Sequence, residues 1–380
     1  MRMLSHFLVL TVLVGASSAA AQTPVPVTPS RVDVQPFGAQ RFATLPADAN
    51  FPEGIAADPA TGSIFVGTLD VAPGGAATNF LLRFDLRGRL LAKLDFGTAP
   101  LTGLAFNRRD GKVYIAQPGT LVGADPKIQR VPGTFDATTP IENVAIIPNI
   151  PAPAPRLAAG LDGAPITTTF GDSFALPNGL VFRDSDGALF VTDSLQAAVF
   201  QIADPSQATN LCPTSSTCVT TAIQDTLLAS PGFPALGVNG AAFAKDEARL
   251  FLTNTGDDRL LALDMATGVL TPFVEALDGA DGIVQGPGNT LLVSVPLADE
   301  ILAIDATTGR IQAELGEFLG IRSDGSVRGL LFPGSIVRVG NAIFANNLAL
   351  PQSGTPAEPE ADVRVYTIAR IFIPRSLTAR

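Results

Sequence analysis

Histidine is nearly absent. The 380 residues contain one, His6, and it lies in a stretch that reads as a cleavable leader. Beyond that leader no imidazole remains for a catalytic triad, a His dyad or a His-rich zinc site, so classes that need a histidine base drop out. Tryptophan is missing altogether, which makes a cofactor-stacking site unattractive without excluding it. Charge is sparse: 16% of residues are charged, and the net charge is −10. Phosphate recognition needs clustered Lys and Arg, so no nucleic-acid partner is expected. Only a local cationic feature could hold an acidic ligand. Cysteine is limited to Cys212 and Cys218. In an exported protein these are expected to staple their own loop as a disulfide, whereas a thiol nucleophile would have no histidine partner. After the N-terminus no apolar run is long enough to span a membrane.

The first residues are Met-Arg-Met-Leu-Ser-His, followed by an apolar run from Phe7 to Val14 and small residues from Gly15 to Ala21. A short basic start, a short apolar core and an Ala-x-Ala-like end are the marks of a secretory signal peptide. We therefore read 1–21 as a signal peptide, 22–37 as an extended Pro- and Val-rich lead-in, and 38–380 as one domain. Export to the periplasm or the extracellular space is expected, as a monomer.

What is plentiful is glycine, 36 residues, proline, 31 residues, and apolar residues, 46% of the chain. That composition suits many short strands joined by tight turns around a large core. A self-similar unit occurs six times: a residue, then Gly, then an apolar residue opening a strand, with a second strand about ten residues on. The copies begin at Glu53-Gly54-Ile55, Thr102-Gly103-Leu104, Asn178-Gly179-Leu180, Asn239-Gly240-Ala241, Asp281-Gly282-Ile283 and Arg328-Gly329-Leu330. Four strands per copy and six copies specify an all-β fold, a six-bladed β-propeller with four-stranded blades. The sixth copy supplies strands at Leu330–Phe332, Ala342–Ala345 and Val363–Ile368, and Gln40–Thr44 is expected to fill its missing fourth place and close the ring. Insertions fall at 148–176, at the cysteine loop and at 351–361.

In a propeller the first strand of each blade lines the central channel, so the residues before the six glycines collect at one mouth. Residues just past the second strands, Thr68, Gln117, Asp193, Asn254 and Asn346, gather there too. Glu53, Asn178, Asn239 and Asp281 then present two carboxylates and two carboxamides, hard oxygen donors that suit Ca2+ or Mg2+. Asn-Gly and Asp-Gly are also ordinary turn signals, and any one of these positions alone reads as a turn.

The repeat Pro-Asn178-Gly-Leu-Val-Phe…Leu-Phe-Val-Thr-Asp193-Ser, with Pro-Glu53-Gly, Val-Asn239-Gly and Ala-Asp281-Gly in the same register, resembles the regucalcin/gluconolactonase family of six-bladed propellers. Paraoxonases and diisopropylfluorophosphatase are its more distant relatives. The resemblance covers essentially all of 38–380. It implies a divalent metal, usually calcium, held by Glu53, Asn178, Asn239 and Asp281, and hydrolysis of a small-molecule lactone or ester. It also implies that Asp281 or a metal-activated water assists attack on the carbonyl. Such chemistry needs no histidine.

Four further positions carry open readings. Arg328, in the sixth slot, would repel a metal, hold an anionic substrate from the rim, or pair with a neighbouring carboxylate. Thr102 is a weak ligand, placed at the rim or behind the ligands. Asp193 and Asn254 either orient ligands or cap strand ends. The rival to hydrolysis is a non-enzymatic propeller that binds a ligand or protein and uses the metal as a structural pin. A strictosidine-synthase-like or quinoprotein-like propeller is a third reading.

Overall fold

Runs rich in Val, Ile, Leu and Phe alternate with turns whose chemistry repeats. Asp58, Asp264 and Asp305 each accept hydrogen bonds from backbone N–H groups two or three residues on. Each of these turns ends in a glycine at positive φ, Gly62, Gly268 and Gly309. A carboxylate satisfying the turn amides, followed by a residue free of the left-handed penalty, reverses the chain and starts the next strand.

The computed structural model describes residues 38–71, 77–152, 156–159, 165–168, 174–206, 212, 214–230, 232, 234–352 and 358–378. The expected signal peptide and lead-in, 1–37, lie outside the described residues. Six four-stranded antiparallel sheets form the blades of a β-propeller. Their first strands are Pro52–Asp58, Leu104–Asn107, Pro177–Phe182, Val238–Phe243, Ile283–Gln285 and Pro333–Val339. In the sixth sheet the outer strand comes from the start of the domain, Gln40–Thr44, paired antiparallel with Thr367–Phe372. Cys212 and Cys218 are joined as a disulfide, with Cα atoms 6.0 Å apart. Among the described residues no helix is long and apolar enough to cross a membrane.

The core lies between blades. Six clusters of buried apolar side chains each draw on two neighbouring sheets, as where Phe65 and Leu81 of blade one meet Leu104 and Ile115 of blade two. The last of them joins Leu292 and Ile301 of blade five to Ile343 and Ile371 of blade six.

Blades close on one another through the repeated glycine. A Cβ on Gly54 would lie 1.9 Å from the carbonyl oxygen of Thr102 in the next blade. On Gly103 it would lie 1.9 Å from the carbonyl of Asn178, on Gly179 2.3 Å from that of Asn239, and on Gly240 2.3 Å from that of Asp281. None of these four glycines has positive φ, and the two Asn-Gly pairs lie inside strands. The turn reading of Asn-Gly therefore does not hold here. The glycine is required because the next blade's backbone rests on its Cα. Register shifts at Pro52/Ile55, Pro177/Leu180, Val238/Ala241 and Pro333/Ile336 place a bulge at the same point of four first strands. A bulge re-aims the side chain it carries.

The sixth copy corrects the sequence reading. Arg328 lies on a separate two-stranded hairpin, Phe318–Ile321 with Val327–Gly329, and is exposed. Its glycine, at φ 88°, serves that hairpin. The first strand of blade six begins at Pro333, which pairs with Asn347 as Pro52 pairs with Thr68 and Pro177 with Asp193. Gly334 therefore holds the ring position, and Asn347, not Asn346, matches Asp193 and Asn254.

Gly103→Ala is expected to cost more than about 3 kcal/mol, because a rigid carbonyl in a packed blade interface cannot give way. Gly111→Ala, at φ 68° with open space around it, should cost only about 1 kcal/mol. Urea midpoints of the two variants check the difference; equal losses would refute the packing role.

Candidate functional site

The residue before each inter-blade glycine sits at one end of a first strand, and Glu53, Asn178 and Asn239 are carried there on a bulge. Glu53, Thr102, Asn178, Asn239 and Asp281 are all buried, each 4 to 6% exposed. Their backbones form a continuous circuit. The carbonyls of Thr102, Asn178, Asn239 and Asp281 rest on Gly54, Gly103, Gly179 and Gly240, and Asn346 of blade six donates to the carbonyl of Glu53 at 2.7 Å.

Side chains of the second strands lock this circuit. Thr192 accepts from the Gly179 N–H and donates to the Asn239 carbonyl. Thr253 accepts from Gly240 at 2.7 Å and donates to Asp281 at 2.6 Å. Ser294 links Gly282 to Gly334 in the same way. Each hydroxyl thus bridges its own blade to the next, using both its acceptor and its donor capacity.

A second row of hydroxyls fixes the two amides. Ser194 donates to the Val238 carbonyl at 2.7 Å and Thr255 to the Ala280 carbonyl at 2.9 Å. With their single protons committed, both hydroxyls can only accept from the asparagines, and Asn178 Nδ2 and Asn239 Nδ2 approach at 3.1 and 3.0 Å. That orientation leaves both Oδ1 atoms for another partner. Sequence reasoning missed Ser194 and Thr255, although both stand immediately after the second strand in matching copies.

The carboxylates are the unpaid part of the network. Glu53 Oε2 and Asp281 Oδ1 are buried without a hydrogen-bond partner, as is Asn346 Oδ1. Burial raises the Asp281 carboxyl to about 7. Burial, and then the charge of Asp281, holds Glu53 well above the usual carboxylate range. Two buried carboxylates, the charge of Asp281 adding to the proton affinity of Glu53, mark a place where positive charge is missing. Gly334 contributes space: a Cβ there would stand 3.9 Å from Asp281 Oδ2.

The remaining expected positions serve the backbone. Thr102 Oγ1 donates to the Pro177 carbonyl at 2.8 Å, tying blade two to blade three. Asp193 accepts from the backbone N–H groups of Leu176, Leu195 and Gln196, fixing the approach to Asn178. Asn254 donates to the carbonyls of Leu227 and Ala229. Among the described residues no three His, Cys, Asp or Glu side chains stand together as a metal set. The ring's donor set is mixed, two carboxylates and two oriented amide oxygens, which suits a hard cation.

A cavity of about 430 Å3 occupies the channel. Gly103, Gly179, Gly240 and Gly282 form its inner end, directly beside the ring residues, and it opens past the far ends of the first strands.

In protein stripped of divalent ions, the raised carboxyls stabilise the fold while protonated. This stability is complete below the ordinary carboxylate range, near pH 4, and is lost as pH rises through the raised values. EDTA-treated wild type should therefore lose melting temperature relative to Asp281→Asn between about pH 5 and about pH 8. Parallel melting curves for the two proteins across that range would contradict the buried-pair geometry.

No protein-family model matches the chain, and no curated protein does. Among solved structures, the regucalcin of Agrobacterium tumefaciens strain C58, described as a calcium-binding protein, is 15% identical with a TM-score of 0.56, over 88% of this chain and 93% of that one. A candidate gluconolactonase is 14% identical with a TM-score of 0.52, over 88% and 92%. The virginiamycin B lyase of Staphylococcus aureus is 16% identical with a TM-score of 0.52, over 88% and 99%. Proteins of such different chemistry match equally well, so the likeness establishes the propeller fold that this chain shares with the regucalcin and gluconolactonase structures, and the chemistry must be argued from the ring.

Proposed function

We propose that the protein is an exported, calcium-dependent hydrolase of lactones or related esters, with Glu53, Asn178, Asn239 and Asp281 as the metal-binding set. The single observation that carries this reading is the pair of buried, unpartnered carboxylate oxygens, Glu53 Oε2 and Asp281 Oδ1, in a ring whose two amides have their oxygens free. An unpaired buried carboxylate is costly, and a divalent cation cancels both charges at once. The 1–21 leader and the Cys212–Cys218 pair support export. The fold likeness to a calcium-binding regucalcin supports calcium over magnesium.

A divalent ion held there would polarise a substrate carbonyl as a Lewis acid. The protein's own groups do the rest. The Ser194 and Thr255 contacts keep the asparagine amides from rotating, so the donor set is preorganised. With positive charge beside it, Asp281 is a carboxylate at neutral pH and accepts the proton of an attacking water, while the acyl–oxygen bond opens to a hydroxy acid. Burial around the ring strengthens these interactions relative to water.

The test is calcium titration of EDTA-treated protein followed by a lactone panel. Calcium at about a hundredfold over its dissociation constant should add about 2.7 kcal/mol of stability. Asp281→Asn should lower turnover by about a hundredfold or more, and Asn178→Ala should weaken calcium binding. Protein without any response to calcium or EDTA would overturn the reading. The burial of the ring residues favours one rival, a structural ion, and stabilisation by calcium without turnover of any lactone would select it.

A further inference from the structure

The channel's other mouth is chemically opposite to the ring. Around it the cavity is lined by the cations Arg108, Arg109, Arg183, Lys245 and Arg338, against two carboxylates, Asp184 and Glu247. In a chain of net charge −10 this is a local reversal of sign.

The cations are also unspent. Arg183 is paired with Asp186. Among the described residues, none of the other four forms an ion pair. Two are held in place by carbonyls instead. Arg109 donates to the carbonyls of Asp186 and Asp184 at 2.8 and 2.6 Å, and Arg338 to those of Gly286 and Gly340 at 3.0 and 2.9 Å. Carbonyls fix a guanidinium without neutralising it, which leaves a positioned cation with spare donors. Arg108 and Lys245 are exposed.

A second observation points the same way. Asn107, 3% exposed, lines the cavity, and its Nδ2 is buried with no acceptor. Its Oδ1 is already used by the Arg109 N–H. A buried donor without a partner beside unpaired cations calls for an acceptor anion.

Inward from the mouth apolar side chains share the wall with strand backbone. Phe106, Phe182 and Phe243 hold equivalent positions on three first strands and line the cavity, with Leu180, Ile283 and Ile336 one layer deeper. A charge-reversed rim over a wall that is in part aromatic and aliphatic suits a ligand with an anionic head and a short hydrocarbon body, and about 430 Å3 is ample for one.

We propose that this mouth is a binding site for small hydrophobic carboxylates, with the carboxylate on Arg108, Arg109, Lys245 and Arg338 and the apolar body against the phenylalanine layer. The site does not depend on the hydrolase reading. It requires neither calcium nor Asp281.

Isothermal titration of the full-length mature protein in EDTA with octanoate tests it. Octanoate should bind, and affinity should rise by up to about fourfold per methylene from butanoate upward. Octanol and octylammonium should bind at least about tenfold more weakly. Arg108→Ser/Lys245→Ser removes two exposed cations that no carbonyl holds and should weaken octanoate by about tenfold without moving the melting temperature, whereas Arg87→Ser, an exposed cation elsewhere, should change nothing. Added salt should weaken binding in wild type more than in the double variant. No octanoate binding at millimolar concentration, equal binding of octanol, or unchanged binding in the double variant would each overturn the site. Binding that appears only with calcium and is lost in Asp281→Asn would place the carboxylate at the ring and overturn it as well.

Discussion

Everything in this propeller depends on a carbonyl resting on a glycine. Where the first strand of one blade passes the next, the two backbones approach so closely that a methyl group would lie within 2.3 Å of a carbonyl oxygen at four successive positions. That contact sets the channel's width. It also sets which residues face the axis, and three of them, Glu53, Asn178 and Asn239, are carried on a bulge at the point of closest approach. Hydroxyls of the second strands also bind two of these carbonyls, those of Asn239 and Asp281, and the carbonyl of Gly334 further round the ring. Packing and polar satisfaction are met by one repeated arrangement, so the blades cannot shift relative to one another without losing both.

The same rigidity explains how the ring tolerates its carboxylates. Two buried acids with unpartnered oxygens cost stability, and a softer scaffold would relax to hydrate them. Here the backbone on either side is clamped by the neighbouring blades, and the amides between them are held by Ser194 and Thr255. The strain of missing positive charge stays at Glu53 and Asp281 and appears as raised proton affinity. Such a site is poised for a cation because everything that could compensate otherwise has been used on the backbone.

The periodic glycines made the blade count and the ring of Glu53, Thr102, Asn178, Asn239 and Asp281 legible, since spacing alone brings first strands together. The sixth position was not. Arg328-Gly329-Leu330 imitates the repeat, but its glycine answers to a hairpin's positive φ, while the true copy, Pro333-Gly334-Ser335, carries serine where the others carry glycine. The proline before the ring residue, shared by Pro52, Pro177 and Pro333, is the better marker of register. What a single strand cannot reveal is a partner on the next blade. Thr192, Thr253 and Ser294 read as ordinary strand residues, and the roles of Asp193 and Asn254 were decided by backbone groups far away in the chain. The cationic mouth was hidden for the same reason, since its members are scattered from Arg108 to Arg338.

The two ends of the channel therefore differ in charge, separated by five to six residues of strand, about 17 to 20 Å. An anion entering at the arginine mouth is drawn in, and in the absence of a cation it is repelled at the ring only once the raised carboxyls of Asp281 and Glu53 have ionised. Filling the ring removes that repulsion. The carboxylates then count as neutral, and the whole channel favours an electron-rich oxygen from the mouth to the ring. The charge state of the two ring carboxyls, Glu53 and Asp281, would thus decide how deep into the channel a carboxylate or carbonyl can travel, without any strand having to move.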